Sequence, residues 1–183
     1  WMRRQPEPKL ILGRGSNVLI SDRGFPGIVL FTSGLNTIEA LGNGLYRVEC
    51  GVNLDRLVRE ILVVNNYAGT GAFAGIPGSV GGAIYMNAGT VNGATCQFLE
   101  RVTVVGPTGP RTVTIDSSIY GYRGQVFCPS GDLIVEGIFH FEKTGDDQKA
   151  VYDHYMSRRR EKQPQGYCCG SVFKNPPNDH AGR

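Results

Sequence analysis

The chain has 183 residues, of which 40% are apolar and 19% charged, and its net charge is +3. That length makes one domain or two small ones, and that balance excludes fibrous and disordered chains. The one basic run, Arg158-Arg159-Arg160, is no nucleic-acid stripe, and the apolar runs are too short for a membrane-spanning helix.

Lys9–Leu12 is a short apolar run that predicts a strand, and Gly13-Arg14-Gly15-Ser16-Asn17 follows as a turn. Val18-Leu19-Ile20 and Ile28–Phe31 are further strand candidates, with a turn at Asp22-Arg23-Gly24 between them. Leu45–Cys50 alternates as a strand does. Asn53 is placed to cap a helix carrying Leu54, Leu57, Val58, Ile61 and Leu62 on one face. Residues 69–93 are small and Gly-rich. Arg101–Val105 and Arg111–Ile115, joined by a Gly106–Gly109 turn, predict a hairpin. Asp132–Phe141 reads as another strand, with His140 on its outer side. Asp146 or Asp147 caps a helix that runs to about Lys162, its end set by Gln163-Pro164 and its basic last turn solvated. Gly166–Pro177 reads as irregular.

Glycine is the outlier in composition: 26 residues, about twice the usual share. In the first patch, Gly13 and Gly15 let a ligand approach the backbone, and Ser16 and Asn17 add polar donors, a pattern suited to an anion. An ordinary tight turn is the plain alternative. In the second patch Pro77 stiffens a turn, Gly75, Gly78, Gly81, Gly82 and Gly89 remove side chains, and Ser79 and Asn87 supply polar groups. Two such patches fit a dinucleotide held by backbone amides. The alternative is close packing of backbone on backbone. Cys50, Cys96, Cys128, Cys168 and Cys169 make an odd set without a CxxC pair. That argues against a disulfide framework or a zinc site, so no metal is expected, and it fits a reducing cytoplasm.

Five segments, in order, carry a resemblance. They are LGRGSNVLISDRGFPGIV (12–29), GIPGSVGGAIYMNAG (75–89), Tyr122-Arg123, Arg160-Glu-Lys-Gln-Pro164 and Gly170-Ser-Val-Phe-Lys-Asn-Pro176. Together they resemble the bacterial UDP-N-acetylenolpyruvoylglucosamine reductases, also called UDP-N-acetylmuramate dehydrogenases. The stretch from Arg123 to Lys162 has no room for the extra Tyr-bearing loop of one subgroup, so the chain resembles the shorter one.

The resemblance implies an α+β FAD-binding fold of the vanillyl-alcohol-oxidase type. Residues 1–33 would form part of a first FAD-binding domain, 34–163 a second, and 164–183 the start of a substrate domain. Both ends look cut relative to the family. It also implies non-covalent FAD, NADPH as hydride donor and a UDP-sugar substrate, in peptidoglycan precursor synthesis and hence cell-wall biogenesis, cell shape and division. A cytoplasmic monomer without nucleic-acid or membrane partners is expected. Hydride would pass from flavin N5 to C3 of the enolpyruvyl ether, with Arg123 beside its carboxylate and Ser171 giving the proton to C2. Tyr122, Lys162, Lys174 and Asn175 would contact the substrate. Gly124-Gln125 depart from the polar residue and Ser usual after Tyr-Arg in the family, and the family's general-acid Glu maps beyond Arg183. A flavin- or nucleotide-binding module without this catalysis is the alternative.

Overall fold

The computed structural model describes residues 5–163, 166 and 173–181. Alternation sets its main sheet. In β4 (Leu45–Glu49), and in β7 (Leu99–Gly106) from Val102 on, every second residue is buried, so Tyr46 and Val48, like Val102 and Val104, share one face. With β3 (Ile38–Gly42), β8 (Gly109–Thr114) and β11 (Leu133–His140) they form a five-stranded antiparallel sheet in the order β3-β4-β11-β7-β8. The expected hairpin is β7–β8, closed by a two-residue turn at Pro107-Thr108. β3 gave no advance signal, because its residues after Ile38 are exposed and do not alternate. His140 points outward and lies 3.5 Å from Glu100.

Asn53 caps α1 (Leu54–Leu57) as its position predicts. Its side-chain oxygen accepts from the Asp55 and Arg56 amides at 2.8 and 3.4 Å. The helix continues into a π-helical turn at Val58–Val63. Leu54, Leu57, Val58 and Leu62 are fully buried, and each such side chain contributes roughly 1.5–3 kcal/mol. Residues 69–93 are not one loop. They fold into α2 (Thr70–Phe73), α3 (Val80–Tyr85) and the two-residue strands β5 (Gly89–Thr90) and β6 (Gly93–Ala94). α3 lies across the sheet. A Cβ on Gly137 of β11 would come within 2.6 Å of Leu99 and 3.1 Å of Ile84.

Asp147, not Asp146, caps α4 (Gln148–Lys162). Its docked face runs through Tyr152, Tyr155, Met156 and Arg159, spaced as one helical stripe. Tyr152 donates to Asp55 of α1 at 2.8 Å. Before the main sheet, β1 (Lys9–Leu12) and β2 (Ile28–Phe31) form a two-stranded parallel pair. The strand expected at Val18-Leu19-Ile20 is absent: these residues carry no strand pairing, and Leu19 is 90% exposed. An apolar triplet makes a strand only where another strand supplies the ladder. Among the described residues no helix is long and apolar enough to cross a membrane.

Candidate functional site

The two Gly-rich segments lie about sixty residues apart in sequence and meet in space. Ser16 Oγ donates to the Pro77 carbonyl at 3.0 Å. A Cβ on Gly13 would sit 2.3 Å from Ser79 Oγ, and one on Gly78 would sit 2.9 Å from Ser16 Oγ. Gly78 has φ +134°, a conformation that L side chains rarely adopt. The backbone at Gly78 therefore favours glycine, and a side chain at Gly13 would displace the Ser79 hydroxyl.

The surrounding backbone is fixed from below. Leu54 N–H donates to Gly78, Val80 N–H to Val52 and Gly81 N–H to Cys50, at 3.1, 2.8 and 2.7 Å. Ser79 caps α3, its Oγ accepting from Gly82 N–H at 3.3 Å. In contrast, the amides of Gly15, Ser16, Asn17, Gly78 and Ser79 donate to no described acceptor. Gly15, at φ +71°, has nothing within 4 Å of its Cβ position. Gly82 and Asn17 are exposed. The junction thus gathers backbone donors that have no acceptor among the described residues on a braced support, which suits a diphosphate.

Asn87 has another task. It is buried, with φ +41°, and its amide is committed inside the protein. Its oxygen accepts from Cys96 N–H at 2.9 Å, and its Nδ2 donates to the Gly121 carbonyl at 2.8 Å. Gly121 ends β9 (Tyr120–Gly121), which pairs with β10 (Gly124–Gln125). Tyr122 and Arg123 are the two residues of that tight turn. Arg123 has φ +55°, and its guanidinium lies 5.7 Å from the Tyr122 ring centroid. Tyr122 is 60% exposed. Gln125 bonds the Cys128 amide and carbonyl at 2.7 and 2.9 Å, tying down the far side of the hairpin. Tyr122 OH also accepts from Asn175 N–H at 3.4 Å.

The structure therefore links the first Gly segment, the second, the Tyr122-Arg123 turn and Asn175 in an unbroken series of contacts. Lys174 is exposed, and Asn175 Oδ1 accepts from Ala181 N–H at 3.0 Å. Lys162 sits exposed at the end of α4. Ser171, Cys168 and Cys169 lie outside the described residues.

The packing alternative holds for several glycines. A Cβ on Gly81 would meet Cys50 Cβ at 2.7 Å, and one on Gly89 would meet the Gly93 carbonyl at 2.2 Å. Gly75, at φ +70°, faces Arg159 Cδ at 2.3 Å. Arg159 is the residue that the sequence reading missed. Its run was expected to be solvated, yet Arg159 is half-buried and its Nε donates to the Ala74 carbonyl at 3.0 Å. The stripe 152, 155, 156, 159 was the available signal. The described cysteines are buried free thiols. Burial pushes Cys50 and Cys128 up to about 11 and Cys96 up to about 12, so none is a ready nucleophile.

The profile of the FAD binding domain family matches residues 1–114. The chain belongs to that family. Its α+β architecture is that of an FAD-binding domain. Among named relatives, UDP-N-acetylenolpyruvoylglucosamine reductase 2 of Bacillus cereus is 38% identical over 179 residues, covering 96% of this chain and 58% of the relative. UDP-N-acetylenolpyruvoylglucosamine reductase of Streptococcus agalactiae is 36% identical over 180 residues, covering 96% and 59%. The crystal structure of UDP-N-acetylenolpyruvylglucosamine reductase from Thermus caldophilus matches with a TM-score of 0.83 at 29% identity, over 99% of this chain and 66% of that one. The chain thus spans about three fifths of the length of the relatives it matches.

Proposed function

We propose that this chain binds FAD non-covalently at the Gly13–Asn17 and Gly75–Gly82 junction and forms part of an NADPH-dependent UDP-N-acetylenolpyruvoylglucosamine reductase. The observation that carries the reading is the junction itself, where Gly13 abuts Ser79 and Ser16 bonds Pro77, beside five amides with no described acceptor. Similarity to relatives so named supports the substrate class. On this reading residues 1–33 and 34–163 are two flavin-binding subdomains, and 164–183 begin a substrate domain.

The chemistry FAD supplies when bound is hydride transfer, from NADPH to the flavin and from flavin N5 to C3 of the enolpyruvyl ether. The chain's residues then have these tasks. The Gly15, Ser16, Asn17, Gly78 and Ser79 amides receive the diphosphate, and Gly82 leaves room for it. Asn87 holds the Tyr122-Arg123 turn against the same Gly-rich segment through Gly121. Arg123 places a permanent positive charge where the substrate carboxylate gains negative charge, and a fixed cation there lowers the barrier. Ser171 is the donor of the proton to C2. Tyr122, Lys162, Lys174 and Asn175 bind the sugar nucleotide, Lys162 as a point charge on its diphosphate.

The test is spectroscopic. The purified chain is loaded with FAD, its visible spectrum recorded, and NADPH added without oxygen, followed by the enolpyruvyl sugar nucleotide. A flavin band that bleaches with NADPH and returns with the sugar nucleotide is the expected result. A bound flavin that NADPH reduces but the sugar nucleotide does not reoxidise would leave a flavin-binding module without this catalysis. A folded chain that takes up no FAD would overturn the reading.

A further inference from the structure

Resting on the FAD reading, we propose that Arg159 is a positioning residue that sets the geometry of the cofactor-binding turn at Gly75–Ser79. Arg159 Nε donates to the Ala74 carbonyl at 3.0 Å, and Ala74 is itself fully buried. The bond fixes the peptide plane that leads into Gly75. The next residue is held too: Ile76 N–H donates to Phe73 at 3.0 Å. Pro77 then presents its carbonyl to Ser16, closing the junction. Only Gly75 and Ile76 therefore separate the Arg159 bond from the contact that joins the two Gly segments.

Packing makes the same connection. A Cβ on Gly75 would lie 2.3 Å from Arg159 Cδ, 2.7 Å from its Nε and 3.2 Å from Met156 Sδ. The arginine stem occupies the space that Gly75 leaves open. At its other end Arg159 is built into the helix terminus: Nη1 donates to Gln163 Oε1 at 3.3 Å, and Gln163 N–H donates to the Arg159 carbonyl at 2.9 Å. Lys162 stands three residues after Arg159, on the same last turn. One turn of α4 thus braces the cofactor segment and carries a residue of the proposed substrate site. The other docking bonds of α4, Tyr152 to Asp55, Tyr155 with Asn92 and the Gln148 amide to Asn66, fall away from this turn.

The experiment compares FAD dissociation constants, from quenching of flavin fluorescence, with thermal melting of the apoprotein for the full chain and three variants. Arg159→Met keeps the stem and removes the donor. It should raise the FAD Kd about tenfold, the weight of one charge-assisted hydrogen bond. Arg159→Lys retains a cationic donor and should recover most of that loss. Tyr155→Phe loosens the same helix face at Asn92 and should leave the Kd within about twofold. Wild-type affinity in Arg159→Met overturns the proposal. Equal weakening by Tyr155→Phe also overturns it, because helix docking in general would then set the turn. If the wild-type chain is folded and binds no FAD, the cofactor reading falls and takes this proposal with it. If Arg159→Met does not fold, Gly75→Ala is the second probe. Its methyl must displace Arg159, and an unchanged Kd would count against the proposal.

Discussion

Single residues in this chain do their work by being placed where no solvent competes. Cys50, Cys96 and Cys128 illustrate it: each thiol is buried, and burial disfavours the thiolate. The sign for stability follows from linkage. Unfolded thiols lose their protons from about pH 9, whereas the folded ones hold theirs to about 11 or 12. Their contribution is complete below pH 9 and is lost as the pH rises through the folded values. Tyr46, pushed up to about 12 mainly by burial, acts in the same direction. The urea midpoint should therefore fall steadily from pH 9 to 11. Cys96→Ala should lower the midpoint at pH 7 through the cavity it leaves, yet flatten the alkaline fall. A midpoint that is flat across that range in the parent chain would refute the assignment. Asn87 makes the same point with an amide. Its residue type and its place in a Gly-rich segment suggested a ligand contact, but only the fold shows both ends of the side chain spent on Cys96 and Gly121.

Among the elements, α3 is the one whose glycines separate by role. Gly81 and Gly82 are adjacent in sequence and identical in composition. Gly81 faces Cys50, where a Cβ would be 2.7 Å from another Cβ. Gly82 is exposed, with only Ser79 Oγ at 3.5 Å. Gly81→Ala should cost about 1–3 kcal/mol by forcing α3 off β4. Gly82→Ala should be neutral or stabilise the apoprotein by about 0.5–1 kcal/mol, since alanine favours a helix interior. Chemical denaturation of the two variants checks this. Equal effects would mean that α3 packs otherwise than described. Gly82→Ala should also weaken FAD binding, because its methyl enters the space assigned to the cofactor. The helix α4 shows what periodicity conveys when the stripe is polar. Its span and a cap at Asp146 or Asp147 were legible, but a face of Tyr152, Tyr155, Met156 and Arg159 does not look hydrophobic, so its docking was not.

At the scale of the whole molecule, stability is unevenly spread. The five-stranded sheet carries the buried core, with Val48, Val102 and Phe139 at its centre. The β1–β2 pair has two strands of four residues and a long exposed connection between them. A lone two-stranded unit is marginal in water. Its amides should exchange at least ~10-fold faster than those of β4, β7 and β11 in native-state hydrogen exchange. Added FAD should slow exchange at residues 13–17 and 78–79 together, since the proposed site has one ligand bridging both segments. Protection at only one of them would contradict a shared site.

Much of the fold was legible because its signals are local. Alternation in Leu45–Glu49 and Arg101–Val105, the Asn53 cap, the cap at Asp146 or Asp147, and the Gly106–Gly109 turn each act within a few residues. β3 and the irregular Val18–Ile20 segment were not legible, because strand pairing depends on a neighbour that sequence distance hides. The proposed site was legible as a set of residue types and an order of motifs. By itself the sequence determined the α+β class, the two Gly-rich segments and the Tyr122-Arg123 pair. Only the tertiary structure decided which glycines border open space and which admit Cys50, Gly93 or Arg159. It also decided that Asn87 and Arg159 face inward. The reason is physical: a missing side chain is written in the sequence, but what fills the space it leaves is chosen by elements folded from elsewhere in the chain.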